Sequence, residues 1–184
     1  MDNESLNYVE FAVEKKCEGS YRLARIAMKI GLWIPGILLC LLGAMINIPI
    51  WILIIPIYPS IIWPKILKPL FYPYVYIEYE YQIVAGSFRM AKILGGCRRK
   101  ELADVSISSA LAIAPYRDHY KAAADAPDVT SRMECVSSMD AEEIYYILYE
   151  ENGDKKVIFF EPINKALKLM QFHNRATVMS PLRR

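Results

Sequence analysis

The sequence lacks the groups of residues that most catalytic and metal sites require. It has only two histidines and four cysteines among 184 residues. Cys17, Cys40, Cys97 and Cys135 are scattered and include no CxxC pair, so they predict neither a zinc site nor a disulfide framework. The glycine patterns of dinucleotide and phosphate loops and the GxSxG pattern of hydrolases are absent as well. We therefore expect a protein that is not an enzyme and that uses no cofactor.

The remaining acid and base candidates have no partners in sequence. His119 lies in a predicted polar loop and His173 ends a predicted helix, and neither belongs to a catalytic pattern. The carboxylate pairs Glu142-Glu143 and Glu150-Glu151 lie on predicted strands, where neighbouring side chains point to opposite faces. These residues predict surface positions and not a reaction centre.

Charge of either sign is missing from a long internal segment. No Asp, Glu, Lys or Arg occurs from Ile30 to Pro64, a run of 35 residues. The run is longer than the roughly 20 residues that one transmembrane helix needs, and prolines interrupt it. It also begins too far into the chain for a cleavable signal peptide. We predict a transmembrane helical hairpin over residues 26–70, with helices from Ile26 to Ile46 and from Ile48 to Leu67.

Each predicted helix is close to the shortest length that crosses a bilayer. Asn47 and Pro49 mark the predicted turn between them. A full crossing requires the side chains of Lys29 and Lys65 to extend to the interface. A re-entrant hairpin that enters one leaflet only is the alternative.

Cations flank the apolar run on both sides and are missing from the predicted turn. Because positive residues stay on the cytoplasmic side, we expect a multi-pass protein of the cell membrane with both ends of the chain in the cytoplasm. The flanking cations are Lys15, Lys16, Arg22, Arg25 and Lys29 before the run, and Lys65 and Lys68 after it.

Small residues recur along one face of the first predicted helix. Gly36, Cys40 and Gly43 are separated by four and three positions, and small side chains let helices approach closely in lipid. We expect this face to be the packing seam of the hairpin, because the short turn already brings the two helices together. A dimer face, or a contact made by an accessory subunit of a transport or secretion complex, is the alternative.

Beyond the apolar run the period of the pattern becomes two. Apolar and polar residues alternate from Ile77 to Ile83, which is typical of a half-buried strand. Turn signals at Gly95-Gly96 and Asn152-Gly153 separate further strands. The period then lengthens to that of an amphipathic helix over residues 162–173. We predict about seven antiparallel strands and a C-terminal helix over residues 75–173, a half-barrel that resembles the pleckstrin-homology-like (PH-like) fold.

The two ends of the chain carry weaker patterns. Residues 1–25 predict a cytoplasmic lead with a brief amphipathic helix that packs on the following domain or lies on the membrane. The alanine-rich stretch from Pro115 to Thr130 predicts a long loop. Residues 174–184 predict a frayed basic tail.

Several short stretches resemble a family of small bacterial membrane proteins of unknown function. The resemblance covers most of the chain, and the alanine-rich loop around 117–131 departs from it. It implies a two-helix membrane anchor joined to a PH-like cytoplasmic domain, and it implies no activity. The stretches are YVEFAVEKK, YIEYEYQIVAGSF, CRRKELADV, ALAIAPY and VIFFEP.

The stretch GGCRRKEL, residues 95–102, places two glycines before a thiol and three cations. A phosphate cradle needs its glycines to lead into a helix, and these lead into a predicted strand. The predicted domain begins directly after the hairpin, so its cations lie near an anionic leaflet, where each gains about 1 kcal/mol. The basic residues that we expect to contact anionic lipid or a protein partner, or else simply to be solvated, are Arg89, Lys92, Arg98, Arg99 and Lys100.

These patterns together predict a membrane-anchored α+β protein with no catalytic activity. The net charge of +2 gives no support to nucleic-acid binding. We expect a binding module presented at the cytoplasmic face of the bilayer, with a protein partner, a second copy of the chain or anionic lipid as its ligand.

Overall fold

The chain divides into two compact units in the computed structural model. We call the first the sheet unit; it comprises Met1–Lys15, Glu78–Lys92 and Lys100–Arg184. We call the second the helical unit; it comprises Lys16–Ile77 and Ile93–Arg99. The structure describes residues 8–31, 33–45, 57–117 and 120–179.

The strands of the described residues form two four-stranded sheets. The strands are β1 (Tyr8–Glu14), β2 (Ile77–Val84), β3 (Ser87–Leu94), β4 (Arg98–Ser106), β5 (Ala112–Pro115), β6 (Val129–Glu134), β7 (Tyr145–Glu151) and β8 (Asp154–Phe160). The sheet orders are β1-β2-β3-β4 and β5-β7-β8-β6. The described part of the chain thus contains eight strands where the alternating pattern predicts about seven.

The extra strand comes from the N-terminal lead, where the expectation of a helix was wrong. β1 pairs antiparallel with β2 over its whole length, from Tyr8 opposite Val84 to Glu14 opposite Glu78. Val9 is buried, and the residues on either side of it are exposed. The segment is a strand because its apolar residues alternate with polar ones, and this places one face of β1 on the core.

The second sheet is not fully antiparallel, which corrects the prediction that all strands are antiparallel. β6 pairs parallel with β8, with a register shift between Val129 and Ser131. β7 pairs antiparallel with β8 on the other side of β8. β8 therefore lies between β7 and β6, with an antiparallel neighbour on one side and a parallel neighbour on the other.

The core of the sheet unit is built around large aromatic side chains. Tyr81 on β2, Phe88 on β3 and Phe160 on β8 are each 0% exposed. The Phe88 and Phe160 ring centroids are 5.0 Å apart, and Phe11 of β1 lies 4.9 Å from Tyr81. The two sheets therefore meet through contacts between aromatic rings, which bury much area and hold preferred orientations.

A C-terminal helix, α5 (Asn164–His173), completes the sheet unit as predicted. It buries Ala166, Leu167, Leu169 and Met170. Two short helices precede it, the one-turn α4 (Lys121–Ala124) and the 3-10 turn Ile107–Ser109.

The residues after α5 are packed, so the expectation of a frayed tail was wrong for 174–179. The Asn174 side-chain amide donates to the Ile107 carbonyl at 2.9 Å. The amides of Ile113 and Met179 bond across to the carbonyls of Thr177 and Ile113 at 3.0 and 2.8 Å. These hydrogen bonds hold the segment against β5, and residues 180–184 lie outside the described part.

The alanine-rich stretch that was expected to be a loop contains α4. The Tyr116 hydroxyl donates to Asp125 at 3.1 Å, and Arg132 forms an ion pair with the same carboxylate at 3.3 Å. The Tyr116 ring also packs edge-on against Phe159, with centroids 4.9 Å apart. These contacts tie the C-terminal end of α4 to the second sheet.

The helical unit contains one stretch, Gly19–Met45, that is long and apolar enough by length and composition to cross a membrane, among the residues described. It comprises α1 (Gly19–Gly31) and α2 (Ile34–Met45). The first predicted helix thus begins earlier than Ile26 and is divided near Trp33. The predicted turn at Asn47 and Pro49, and residues 48–56 of the second predicted helix, lie outside the described residues.

The described remainder of the second predicted helix is irregular. Tyr58–Leu67 is π-helical and contains Pro64, and α3 (Lys68–Val75) contains Pro73. Proline removes an amide donor and clashes with the preceding turn, so it disrupts the regular α-helical bonding. A second long apolar helix is not seen among the described residues.

Candidate membrane-facing site

The end of α3 is held by polar contacts from α1. The Arg25 Nε donates to the Val75 carbonyl at 3.1 Å, and its guanidinium lies 4.4 Å above the Tyr76 ring. The Tyr21 hydroxyl donates to the Tyr74 carbonyl at 3.2 Å. A cation near the last carbonyls of a helix is electrostatically favourable. These contacts fix the last residues of α3 and Tyr76 against α1.

The Gly95-Gly96 turn packs against the same end of α3. The Gly95 amide donates to the Tyr76 carbonyl at 2.7 Å. A Cβ atom at Gly95 would lie 2.8 Å from the Pro73 nitrogen and 2.9 Å from the Tyr72 carbonyl carbon. Gly95 is therefore required both by its φ of +61° and by the closeness of another backbone. Gly96 has a φ of +67°, and a Cβ atom added there would meet nothing within 4 Å.

The basic residues predicted as a single contact set are divided by the structure. Arg98, Arg99 and Lys100 are exposed at the start of β4, and the first two belong to the helical unit together with the turn. Arg89 on β3 forms an ion pair with Asp104 at 3.0 Å, and both side chains are exposed. Lys92 is half-buried. Arg98 and Arg99 thus group with the apolar helices, while Lys100 and Arg89 belong to the sheet unit.

The small-residue face of α2 packs within the chain. Gly36 and Gly43 are buried and Cys40 is half-buried. A Cβ atom at Gly36 would lie 3.5 Å from carbons of the Tyr58 ring, which is itself buried. The Trp33 and Tyr58 ring centroids are 6.0 Å apart. Gly36 therefore makes room for an aromatic side chain from the π-helical segment.

The helical unit also contains an apolar cavity of about 490 Å³. Its lining comes from α1, from the start of α2 and from α3, and it includes no charged side chain. The lining residues are Ala27, Met28, Gly31, Pro35, Phe71, Tyr74 and Val75.

The cysteines differ widely in exposure, and all four are free thiols. Cys97 is exposed beside the glycine turn, whereas Cys135 is 1% exposed. Burial raises the pKa of Cys135 to about 12, so its thiol stays protonated and unreactive in the folded protein. The Tyr81 hydroxyl donates to the Cys135 carbonyl, and burial raises the pKa of Tyr81 as well.

The candidate acids and bases do not assemble in the part of the chain that the structure describes. No group of three or more His, Cys, Asp or Glu residues there could hold a metal ion. His173 is the last residue of α5, and its Nε2 is buried without a hydrogen-bond partner among the described residues. His119 lies outside the described residues.

Two features of this site were not found from the sequence. The contact of Gly95 with the α3 backbone joins residues that are distant in sequence, so no local pattern carries it. The second missed feature is the start of α1 before Ile26. The sequence does carry a signal for it, because Arg22 and Leu23 recur at helical spacing with Arg25 and Ile26.

Comparison with known proteins identifies a family. The sequence profile of a family described as Bacterial PH-like domain (DUF6106) matches residues 4–180. Neither a curated protein nor a solved structure matches the chain.

Proposed function

This chain belongs to the family of bacterial PH-like domains, and we propose that it is a non-catalytic membrane protein that holds this domain at the cytoplasmic face. The apolar helices serve as its anchor. The domain serves as a binding module, and the turn at Gly95-Gly96 brings cations to the anionic lipid surface.

The observation that carries the proposal is the pairing of β1 with β2. β1 precedes the apolar stretch in sequence and β2 follows it, and the two strands are hydrogen-bonded from Tyr8 opposite Val84 to Glu14 opposite Glu78. A single crossing would leave these strands on opposite sides of the bilayer. The pairing therefore supports a hairpin or a re-entrant segment, with entry and exit on one side. The cations on both flanks favour the cytoplasm for that side.

Lipid is the ligand that the geometry favours for the basic residues. The turn and Arg98 and Arg99 belong to the helical unit, and the Gly95 amide bonds to the carbonyl of Tyr76. This attachment holds the start of β4 beside the end of an anchoring helix. Exposed cations in that place gain from the negative surface potential of the leaflet.

An accessory role in a transport or secretion complex would use the small-residue face of α2. Since the Tyr58 ring already packs against Gly36, that face supports packing within this chain.

The sidedness is testable with the two thiols that differ most in exposure. In a background with Cys17→Ser and Cys40→Ser, we expect a membrane-impermeant maleimide to leave Cys97 unlabelled in intact cells. Opening the cells should allow Cys97 to label at pH 8, because it is exposed. Cys135 should label only after unfolding, because it is buried and its pKa is raised to about 12. Labelling of Cys97 from outside intact cells would refute the orientation.

Charge reversal tests the lipid contact in the full-length protein. With an environment-sensitive dye on Cys97, we expect a blue shift on moving from phosphatidylcholine to phosphatidylglycerol nanodiscs. The triple variant Arg98→Glu, Arg99→Glu, Lys100→Glu should remove the shift. At about 1 kcal/mol per cation, it loses about 3 kcal/mol of electrostatic attraction to the anionic leaflet. High salt should also weaken it.

A matched variant controls for net charge. Lys165→Glu, Lys168→Glu and Arg175→Glu change the charge by the same amount at exposed positions of the sheet unit. We expect these changes to leave the dye shift in place. Equal loss in both triple variants would mean that net charge and not the turn controls the response.

A further inference from the structure

α1 carries an exposed apolar stripe from Leu23 to Ile30. None of its residues is buried. Leu23, Ile26 and Ile30 are 69%, 45% and 62% exposed. Residues three and four positions apart share one face of a helix. The stripe is therefore continuous and open in the part of the chain that the structure describes.

A line of cations runs beside this stripe. Arg22, Arg25 and Lys29 each precede one of the three apolar residues by a single position, which corresponds to about 100° around the helix. Arg22 and Lys29 are exposed. The cations thus extend from the first turn of α1 to its last and are not confined to one end.

This arrangement differs from that of a helix that crosses a bilayer. In a crossing helix, the later cations of α1 would enter the hydrocarbon, where charged side chains are costly. A helix with an apolar face and a basic face instead lies in the interface, where each face meets its preferred surroundings. The composition changes where the helix divides, because α2 begins at Ile34 and has no charged residue.

Continuing from the proposed membrane anchorage, on which this step depends, we infer that α1 lies in the plane of the cytoplasmic membrane surface. Leu23, Ile26 and Ile30 insert among the lipid chains, and Arg22 and Lys29 contact anionic phospholipid headgroups. The lipid leaflet therefore covers the exposed stripe. The membrane-entering part of the stretch begins with α2.

Depth measurements on the full-length protein distinguish an in-plane helix from a crossing one. Single cysteines replace Leu23, Ile26 and Ile30 on the stripe, Lys29 on the cation line and Leu38 on α2, in a background with Cys17, Cys40 and Cys97 changed to serine. A spin label on each is compared for collision with oxygen and with a water-soluble nickel complex. The protein is reconstituted in nanodiscs of phosphatidylcholine mixed with phosphatidylglycerol.

We expect the three stripe positions to report one shared depth, about 5–10 Å into the headgroup and acyl boundary. The label at position 29 should be accessible to water, and the label at position 38 should be deeper than the stripe. A depth that increases by about 1.5 Å per residue from position 23 to position 30 would overturn the inference and would leave the anchorage intact.

Two further outcomes separate the inference from its premise. A water-accessible label at position 38 would refute the anchorage itself. With phosphatidylcholine alone, we expect the stripe labels to move toward water, and an unchanged depth would refute the contact with anionic headgroups. Protection of Cys135 from alkylation verifies that each variant is folded, since this thiol is 1% exposed in the native protein.

Discussion

Replacing Phe88 with alanine should destabilise the sheet unit more than any other single change proposed for this chain. Phe88 is 0% exposed, and its ring packs 5.0 Å from Phe160 and 6.2 Å from Tyr81, measured between centroids. Truncation removes these contacts and leaves a cavity that the two facing sheets cannot close. Such changes cost about 3–5 kcal/mol. This loss is a large part of the roughly 5–15 kcal/mol that stabilises a typical domain.

The buried thiol of Cys135 provides the measurement. Alkylation of Cys135 in increasing urea reports unfolding of the sheet unit, even when the helices stay in a nanodisc. Phe88→Ala should shift the midpoint to lower urea. Phe172→Ala is the matched control, because Phe172 is 77% exposed on α5 and its truncation removes the same atoms at the surface. Equal midpoints for the two variants would contradict the aromatic core described here.

The second large effect should come from Gly95→Ala. Both Gly95 and Gly96 have positive φ, so alanine at either position costs about 1–2 kcal/mol. Only at Gly95 does the added Cβ meet a neighbouring backbone, at 2.8 Å from the Pro73 nitrogen. Relieving that overlap moves the turn away from α3 and weakens the Gly95 bond to Tyr76. The additional cost is about 1–3 kcal/mol.

Hydrogen exchange on the paired variants separates these two costs. In Gly95→Ala, amides in the turn and at the end of α3 should exchange faster, because the contact between them is lost. In Gly96→Ala, the increase should be confined to the turn, since a Cβ there meets nothing within 4 Å. The same exchange pattern in both variants would show that the close approach to Pro73 has no effect on stability.

Sequence patterns predict those strands and helices in which buried residues recur at a regular spacing along one segment. Ile77 to Ile83 is a strand because every second residue is buried, and the final helix is buried at helical spacing. The same alternation is present in β1. The sequence alone predicts a helix there, because a short run near the N-terminus has no visible partner strand in sequence.

Features set by distant contacts could not be predicted. The parallel pairing of β6 with β8 depends on the order of strands in space, which the strand sequences do not specify. Gly95 and Gly96 look alike in sequence, and only the position of α3 distinguishes them. The cations Arg98 and Arg99 were expected near the membrane, and their grouping with the helices depends on that same turn.

The pairing of β1 with β2 has a consequence for how the protein is made. Synthesis runs from the N-terminus, so β1 is complete before its partner exists, and the whole of Lys16–Ile77 is translated between them. Until then β1 is an unprotected strand edge, which invites association with other chains. Closing a pair across so long an intervening segment is also slow. The first sheet can therefore be completed only after the whole of Lys16–Ile77 has been translated, so this sheet is among the last parts of the fold to close.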